Sequence, residues 1–178
     1  MTNNIIVVKR DGSKEPLDLD KFHKVVAFAC DGIAGVSASE VELKSHINFY
    51  DKITSKEVQE TLIKAAADLI SEETPNYQQV AGRLISYDLR KEAYGQFEPP
   101  HLLDHVKNVI DEGFYESAIL DWFTKEEFNL MNEWIDHSRD ENLTYAAMEQ
   151  LRGKYLVKNR ATGKIFETPQ MAFMLIGA

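Results

Sequence analysis

The sequence contains one cysteine, Cys30, and no long apolar run. A single thiol excludes an internal disulfide and a cysteine-based zinc knuckle, and it is typical of the reducing cytoplasm. We interpret Cys30 as a small buried thiol. No segment approaches the ~20 apolar residues that cross a bilayer, and the N-terminus has no signal-peptide core. These absences predict a soluble, cytoplasmic protein.

Positive charge is also scarce. The net charge is −9 and the isoelectric point is near 5.0, which argues against a general nucleic-acid-binding or membrane-binding surface. The sequence has neither the Walker pattern nor the dinucleotide-binding pattern of glycines. Any phosphate site must therefore be built from side chains and helix N-termini.

Residues 1–95 predict a β-hairpin followed by four helices. The strands "IIVV" and "EPLDL" flank Asp11-Gly12, a strong signal for a tight turn. The first helix is expected from about Asp18 to Cys30 and the fourth from about Asn76 to Tyr94. Capping boxes at Ser37-Ala38-Ser39-Glu40 and Thr54-Ser55-Lys56-Glu57 begin the second and third helices.

Apolar residues recur at helical spacing in all four helices and predict a common core. The predicted apolar positions are Phe22, Val25, Val26 and Ala29; Val41 and Ile47; Val58, Leu62, Ala65 and Leu69; and Tyr77, Val80, Ala81, Leu84 and Leu89.

The segment "GQFEPPH" ends this unit, because Gly95, Pro99 and Pro100 cannot continue a helix. We expect a domain boundary here, between residues 1–95 and 96–178. The second part predicts further helices and a second hairpin formed by "YLVKN" and "KIFET". A last helix follows, with Thr168 as N-cap and Pro169 at its first position. The predicted fold class is α+β, mostly helical.

That last helix, "QMAFMLIGA", is almost entirely apolar. We expect further chain or a second polypeptide to cover it, because an exposed apolar helix end is unusual in a finished domain.

Three cations, Lys9, Arg10 and Lys21, surround the first hairpin and predict an anion site. Glu15 and Asp18 could accept hydrogen bonds from an amine or a ribose hydroxyl, and Ser55 begins a helix that favours phosphate. Lys91, late in the fourth helix, could supply another cation. The residues alone also allow an ordinary solvated cationic turn.

The segments "VVKRDGSKEPLDLDK", "KAAADLI", "LRKEAYGQFEPP" and "YLVKNRATGKIFETPQ" resemble the N-terminal region of the class I ribonucleotide reductase large subunit, above all in enterobacteria and bacteriophages. The resemblance implies that residues 1–95 form an ATP-cone, a hairpin capping four helices. Residues 96–178 would begin the helical domain that precedes the catalytic barrel.

In that family the cone binds ATP or dATP as an allosteric effector, here expected with Mg²⁺. The resemblance implies phosphate contacts from Lys9, Arg10, Lys21, Ser55 and Lys91, with Glu15 and Asp18 beside the base and ribose. The segment from 15 to 21 would wrap the nucleotide. The complete implied site is Lys9, Arg10, Glu15, Pro16, Leu17, Asp18, Leu19, Asp20, Lys21, Ser55, Gln59 and Lys91.

Three positions depart from relatives: Ser55 replaces a frequent threonine, Asp18 replaces an asparagine, and Gln59 replaces an enterobacterial histidine. These changes leave open how strongly dATP inhibits.

The family reduces ribonucleoside diphosphates for DNA replication, and its catalytic cysteines have no counterpart here. The resemblance therefore implies a sensor region whose partners are the rest of the large subunit and the radical-bearing small subunit. It also implies a homo-oligomer in the full enzyme.

Other functions are weaker predictions. His101 and His105 lie four residues apart, but a third metal ligand is missing, and Glu126, Glu127 and Glu133 lack the Glu-x-x-His pattern. A cone-bearing transcriptional repressor would need a four-cysteine zinc ribbon. A helical interaction module that binds no nucleotide remains an alternative. The aromatic side chains of the second part are predicted to pack in the core or at interfaces: Phe114, Tyr115, Trp122, Phe123 and Trp134.

Overall fold

The computed structural model describes residues 5–178 and shows a mostly helical α+β protein with one small sheet. The strands are β1 (Ile6–Val8), β2 (Lys14–Pro16) and β3 (Ile53–Thr54). The helices are α1 (Leu19–Cys30), α2 (Ala38–His46), α3 (Ser55–Ala67), α4 (Tyr77–Tyr94), α5 (Leu102–Asp111), α6 (Ile119–Trp122), α7 (Lys125–Trp134), α8 (Tyr145–Gln150) and α9 (Pro169–Gly177). A 3₁₀ helix spans His137–Asn142, and a π-helical turn spans Leu151–Tyr155.

The predicted N-terminal hairpin is confirmed. Strands β1 and β2 pair antiparallel, with Val7 opposite Glu15. Gly12 has φ +82°, a left-handed conformation that glycine adopts without a steric penalty. The sequence analysis missed β3, which pairs parallel to β1 with Val7 opposite Ile53. A strand of two residues has no periodicity to detect, and its partner lies more than 40 residues away.

The helix starts agree closely with the predicted ones, and Asp18, which was not predicted as a cap, is the N-cap of α1. The Asp18 carboxylate accepts from the Lys21 N–H at 3.0 Å, and Thr54 and Glu57 form a complete capping box. Ser37 caps α2 as predicted, but the prediction that the Glu40 side chain completes this capping box is wrong. The Glu40 carboxylate instead accepts the Tyr77 hydroxyl, which ties α2 to α4.

Removing the α3 cap should destabilise the protein. Thr54→Ala leaves the Glu57 N–H without its side-chain acceptor, now at 3.1 Å, so we expect the free energy of unfolding to fall by about 1 kcal/mol. Thr61→Ala is the matched control, because the Thr61 hydroxyl bonds only a carbonyl of its own helix. Urea unfolding of both variants checks the prediction, and equal losses would contradict it.

Most of the predicted apolar positions are buried, and they form a core that both parts of the chain share. Residues of α1, α3 and α4 pack in one cluster with Met148, Leu156, Ile165 and Ala172. Val25, Val58 and Leu69 are only partly buried, and Ile47, just after α2, has 78% of its surface exposed. The boundary at residue 95 stays a prediction, and the apolar core extends across it.

Helix α4 packs closely against the chain at residues 143–144. A Cβ added to Gly82 would lie 2.0 Å from the Leu143 carbonyl oxygen, so only glycine fits there. This contact brings the backbone after the 3₁₀ helix directly onto α4.

The C-terminal elements form with local changes. The second hairpin is limited to one antiparallel bridge, Lys158 to Ile165, because the Val157 N–H donates to the Glu167 carboxylate. Thr168 precedes α9 as predicted, but its hydroxyl pairs with that of Tyr94 and does not cap the helix. Within residues 5–178, no helix has both the length and the apolar character of a membrane span.

Candidate functional site

A cleft of about 710 Å³ lies between the β1–β2 hairpin and helices α1, α3 and α4. This volume is in the range of small-molecule binding sites. The hairpin supplies one wall, and the N-terminal turns of α1 and α3 supply the adjacent walls. The C-terminal half of α4 completes the cleft.

Nine of the twelve predicted site residues line this cleft: Lys9, Arg10, Glu15, Leu17, Asp18, Lys21, Ser55, Gln59 and Lys91. Pro16, Leu19 and Asp20 do not. Side chains of a strand alternate between its two faces, so Pro16 points away where Glu15 and Leu17 point in. Leu19 and Asp20 are exposed in the first turn of α1.

Three cleft cations are paired with carboxylates. Lys9 Nζ lies 2.6 Å from Glu15 Oε1, and Lys21 Nζ lies 3.6 Å from Asp18 Oδ2. Arg10 Nη2 donates to Asp88 Oδ1 at 3.1 Å. An anionic ligand could replace these carboxylates with its own oxygens, because its oxygens would form charge-assisted hydrogen bonds with the same cations.

Lys91 is placed differently from the other cations. Its Nζ lies 5.8 Å from the centre of the Tyr87 ring, in the range of a cation–π contact. Both side chains line the cleft, and both belong to α4. Lys91 therefore offers positive charge from the α4 wall of the cleft.

The N-terminus of α3 adds backbone polarity to the site. Ser55 is the first residue of this helix and lines the cleft. The N–H groups of a first helical turn have no partners within the helix and carry partial positive charge. The cleft thus combines side-chain cations with a helix end suited to an anion.

Sequence reasoning missed Asp88, which is 3% exposed and lines the cleft. Burial raises the pKa of this carboxyl to about 6, and the charge of Arg10 opposes that rise. A signal was present, since Asp88 lies four residues after the core residue Leu84 and so falls on the buried stripe of α4. A carboxylate on such a stripe needs a partner, which the hairpin provides.

Sequence reasoning also missed the apolar part of the cleft. Phe22, Val25 and Leu62 had been assigned to the core, and they also face the cleft beside Val7. Gln59 is buried, and its Nε2 donates to the Leu84 carbonyl at 3.2 Å. One region is thus polar and cationic while another is apolar, which suits a ligand with an anionic tail and a flat apolar ring.

The other candidate residues have structural roles. His101 accepts the Leu103 N–H at 3.2 Å as the cap of α5. His105 is buried beside Tyr115, and burial lowers its pKa to about 4. Among residues 5–178 no three His, Cys, Asp or Glu side chains are grouped as metal ligands.

The aromatic side chains of the second part divide into two groups. Phe114 stacks on Phe166 with 4.2 Å between ring centres. Phe123 packs against a second apolar cluster, which is formed by Leu102, Val106, Phe128, Met131 and Met171. Trp122 and Trp134 are 67% and 63% exposed, so they do not lie in the core of this chain. Their predicted place at an interface stays a prediction.

Comparison with known proteins gives one family match. Residues 5–92 match the model of the ATP cone domain. These residues contain the hairpin, helices α1 to α3 and most of α4, and hence all but one of the residues that line the cleft.

Curated relatives match the chain over almost its entire length. It is 52% identical over all 178 residues to ribonucleoside-diphosphate reductase 1 subunit alpha of Escherichia coli and 50% identical to subunit alpha of Haemophilus influenzae. It is 41% identical over 175 residues to subunit alpha of Enterobacteria phage T4. The chain spans 23%, 24% and 23% of these relatives, respectively, which is about a quarter of their length.

Proposed function

Residues 5–92 belong to the ATP-cone family, and the whole chain corresponds to the N-terminal region of ribonucleoside-diphosphate reductase alpha subunits; on this premise we propose that the cleft binds ATP or dATP as an allosteric effector. The observation that carries the proposal is the convergence of Lys9, Arg10, Lys21 and Lys91 on one cleft with an apolar wall.

The proposed contacts follow from the chemistry of the walls. The cations and the α3 N-terminus would hold the triphosphate, because they supply charge and N–H donors. The apolar surface near Phe22 and Leu62 would receive the base, with Gln59, Glu15 and Asp18 offering hydrogen bonds to the base or the ribose.

Mg²⁺ is part of the proposal only in association with the phosphates. This ion usually keeps several waters and binds one or two carboxylates together with phosphate oxygens. The cleft offers the carboxylates of Asp11, Glu15, Asp18 and Asp88. Any of them could contact a hydrated ion that the triphosphate carries.

In the complete enzyme the bound nucleotide would control overall activity and so the supply of deoxyribonucleotides for DNA replication. The proposed partners are the remainder of the large subunit and the small radical-bearing subunit, within a cytoplasmic oligomer. ATP and dATP differ by one hydroxyl, so they can shift an assembly only through unequal contacts in its two states.

The chain itself is proposed to sense and not to catalyse. Cys30 is its single cysteine, so no redox pair can form within it. Burial raises the pKa of the Cys30 thiol to about 11, so the thiol stays protonated at neutral pH. A protonated thiol is a poor nucleophile.

A second candidate function is a helical interaction module that binds no nucleotide. The observation in its favour is exposed apolar surface on α6, α7 and α9, where Trp122, Trp134 and Ile176 are each more than 60% exposed. A surface of this kind marks contacts with other proteins.

Calorimetric titration with ATP distinguishes the two functions. We expect saturable binding to the wild-type chain, weakened by about 1–3 kcal/mol in each of Lys9→Ala, Lys21→Ala and Lys91→Ala, or about 5-fold to 150-fold in Kd. Each lysine contributes a charge-assisted contact, and in the first two variants Glu15 or Asp18 would also be left unpaired beside the phosphates.

Lys24→Ala is the matched control, because Lys24 is exposed on the same helix as Lys21 and does not line the cleft. Thermal unfolding of each variant shows whether it remains folded. No ATP binding by the wild type would favour the interaction module. Unchanged affinity in all three cleft variants would reject the site, and tight binding of duplex DNA would favour a regulator.

A further inference from the structure

Within residues 5–178, three side-chain polar atoms are buried without a hydrogen-bond partner: Arg90 Nε, His137 Nδ1 and Asp140 Oδ2. Asp140 is fully buried and Arg90 is 5% exposed. Buried polar groups nearly always find partners, because an unpaired one keeps the full cost of its desolvation. Three such atoms need a common explanation if they lie together.

They lie together where α4 meets the 3₁₀ helix. Arg90 Nη2 donates to the His137 carbonyl at 2.8 Å, and His137 and Asp140 are one helical turn apart. Burial and then the charge of Arg90 lower the pKa of His137, and the same charge opposes the rise that burial causes in the pKa of Asp140. All three groups therefore lie within electrostatic reach of one another.

The three side chains do not satisfy one another directly. No side-chain nitrogen of Arg90 or His137 lies within 4.0 Å of a carboxylate oxygen of Asp140. The Asp140 carboxylate is held on its other side, where Oδ1 accepts from Gln170 of α9 at 3.0 Å.

The hydrogen-bonding types of the three atoms are complementary to a single small molecule. Arg90 Nε–H can only donate, and an ionised Asp140 Oδ2 can only accept. Burial and the charge of Arg90 lower the pKa of His137 to about 4, so its ring is neutral at pH 7 and Nδ1 can accept. One donor and two acceptors match a molecule with one lone pair and two hydrogens to offer.

We propose that one ordered water molecule binds here, accepting from Arg90 Nε and donating to His137 Nδ1 and Asp140 Oδ2. Three hydrogen bonds are typical of a buried structural water. An ion suits the site less well, because a cation would face Arg90 and an anion would face Asp140.

The water joins α4 to both later elements. Arg90 lies on α4 between Asp88 and Lys91, which line the cleft, while Asp140 and its partner Gln170 belong to the 3₁₀ helix and α9. Arg90 is also fixed over the Phe97 ring, 4.7 Å from its centre. The bound water thus connects the polar groups of Arg90, His137 and Asp140 next to α4, the helix that forms one wall of the cleft.

Two measurements on the 178-residue chain test this site. A high-resolution crystal structure is expected to show water within hydrogen-bond distance of all three atoms. In solution, NMR is expected to show a cross-peak between Arg90 Nε–H and a long-lived water that does not arise from hydrogen exchange. NMR is also expected to show that the neutral His137 ring is protonated on Nε2. A cation or anion at this position, direct pairing of Arg90 with Asp140, or a proton on His137 Nδ1 would each overturn the proposal.

His137→Phe gives the matched variant, since it keeps a ring of similar shape and removes one acceptor. We expect loss of the water cross-peak in this variant, while Ser138→Ala, at the exposed neighbouring position, retains it. A cross-peak of equal intensity in His137→Phe would show that the water does not bridge these groups. If His137→Phe fails to fold, the tautomer and cross-peak of the wild type still decide the matter.

Discussion

Gly82→Ala is expected to lower the free energy of unfolding by about 2–4 kcal/mol, even though alanine favours helices more than glycine does. The added Cβ would lie 2.0 Å from the Leu143 carbonyl oxygen and 3.1 Å from the carbonyl carbon of Thr144. Both obstacles are backbone atoms, so no side-chain rotation can relieve the clash. Helix α4 would have to move away from residues 143–144.

That movement would open the shared core, because Met148 of α8 packs in the same cluster as Leu84 and Leu89 of α4. Core groups that separate lose both their burial and their dispersion contacts. We therefore expect the whole chain, and not only its second part, to unfold at a lower urea concentration.

Gly153→Ala is the control for this prediction. Its added Cβ meets no atom within 4 Å, and the residue lies in a helical turn. Alanine there should be neutral or stabilising by up to about 1 kcal/mol. Urea unfolding followed by circular dichroism measures both variants, and a Gly82→Ala chain as stable as the wild type would show that α4 does not pack as described.

Asp88→Asn is expected to strengthen ATP binding about tenfold at about pH 7.5. The pKa of this buried carboxyl is about 6, so it is ionised at that pH. An ionised carboxylate repels a phosphate group some 10 Å away by about 1–2 kcal/mol at an effective dielectric constant near 20. The Asp88 carboxylate also holds Arg10 in an ion pair, and the substitution frees Arg10 to bind the ligand.

The pH dependence makes this prediction specific. Below about pH 5 the wild-type carboxyl is protonated and resembles asparagine in charge, so the affinities of the two proteins should converge. Calorimetry at both pH values measures the ratio of affinities, which cancels the titration of ATP itself. Asp68→Asn, at an exposed position outside the cleft, should leave the ratio near one at either pH.

The free energy of unfolding provides an independent measurement of the effect of Asp88. The folded pKa of Asp88 lies above the ordinary value of 3.8, so its stabilising contribution is complete below pH 3.8 and is lost as the pH rises through 6. Asp88→Asn should therefore be more stable than the wild type at about pH 7.5 and no more stable below about pH 4. Weaker ATP binding by Asp88→Asn at about pH 7.5 would contradict the repulsion argument and would show that Asp88 orients Arg10 for the ligand.

Two buried histidines change the free energy of unfolding with pH in the direction opposite to Asp88, over nearly the same pH range. Burial lowers the pKa values of His105 and His137 to about 4, so their contribution is lost as the pH falls from 6.5 toward 4. Burial raises the pKa of Asp140, like that of Asp88, to about 6. The aspartates and histidines partly offset each other, and the Asp88→Asn variant should therefore show steeper acid destabilisation than the wild type.

The elements whose signals are local could be predicted from the sequence. The Asp11-Gly12 turn, the start of α1 near Asp18, the cap at Thr54 and the end of α4 at Gly95 all depend on residues within four positions of one another. The sequence predicts each of them to within about one residue. Three cations around the hairpin, with Lys91 as a further candidate, also indicated an anion site, although the residues alone allowed an ordinary solvated turn. The likeness to a known family added the nucleotide and its remaining contacts, which the structure leaves as a proposal.

Contacts between residues far apart in the chain could not be predicted and became known from the folded structure. The pairing of β3 with β1, the ion pair between Arg10 and Asp88, and the contact of Gly82 with residue 143 each join positions separated by more than 40 residues. The free energy of such contacts depends on packing and burial around both partners, and neither partner carries a local mark of the other. For the same reason the cluster of Arg90, His137 and Asp140 forms only where α4 and the 3₁₀ helix pack together, and the sequence alone does not indicate it.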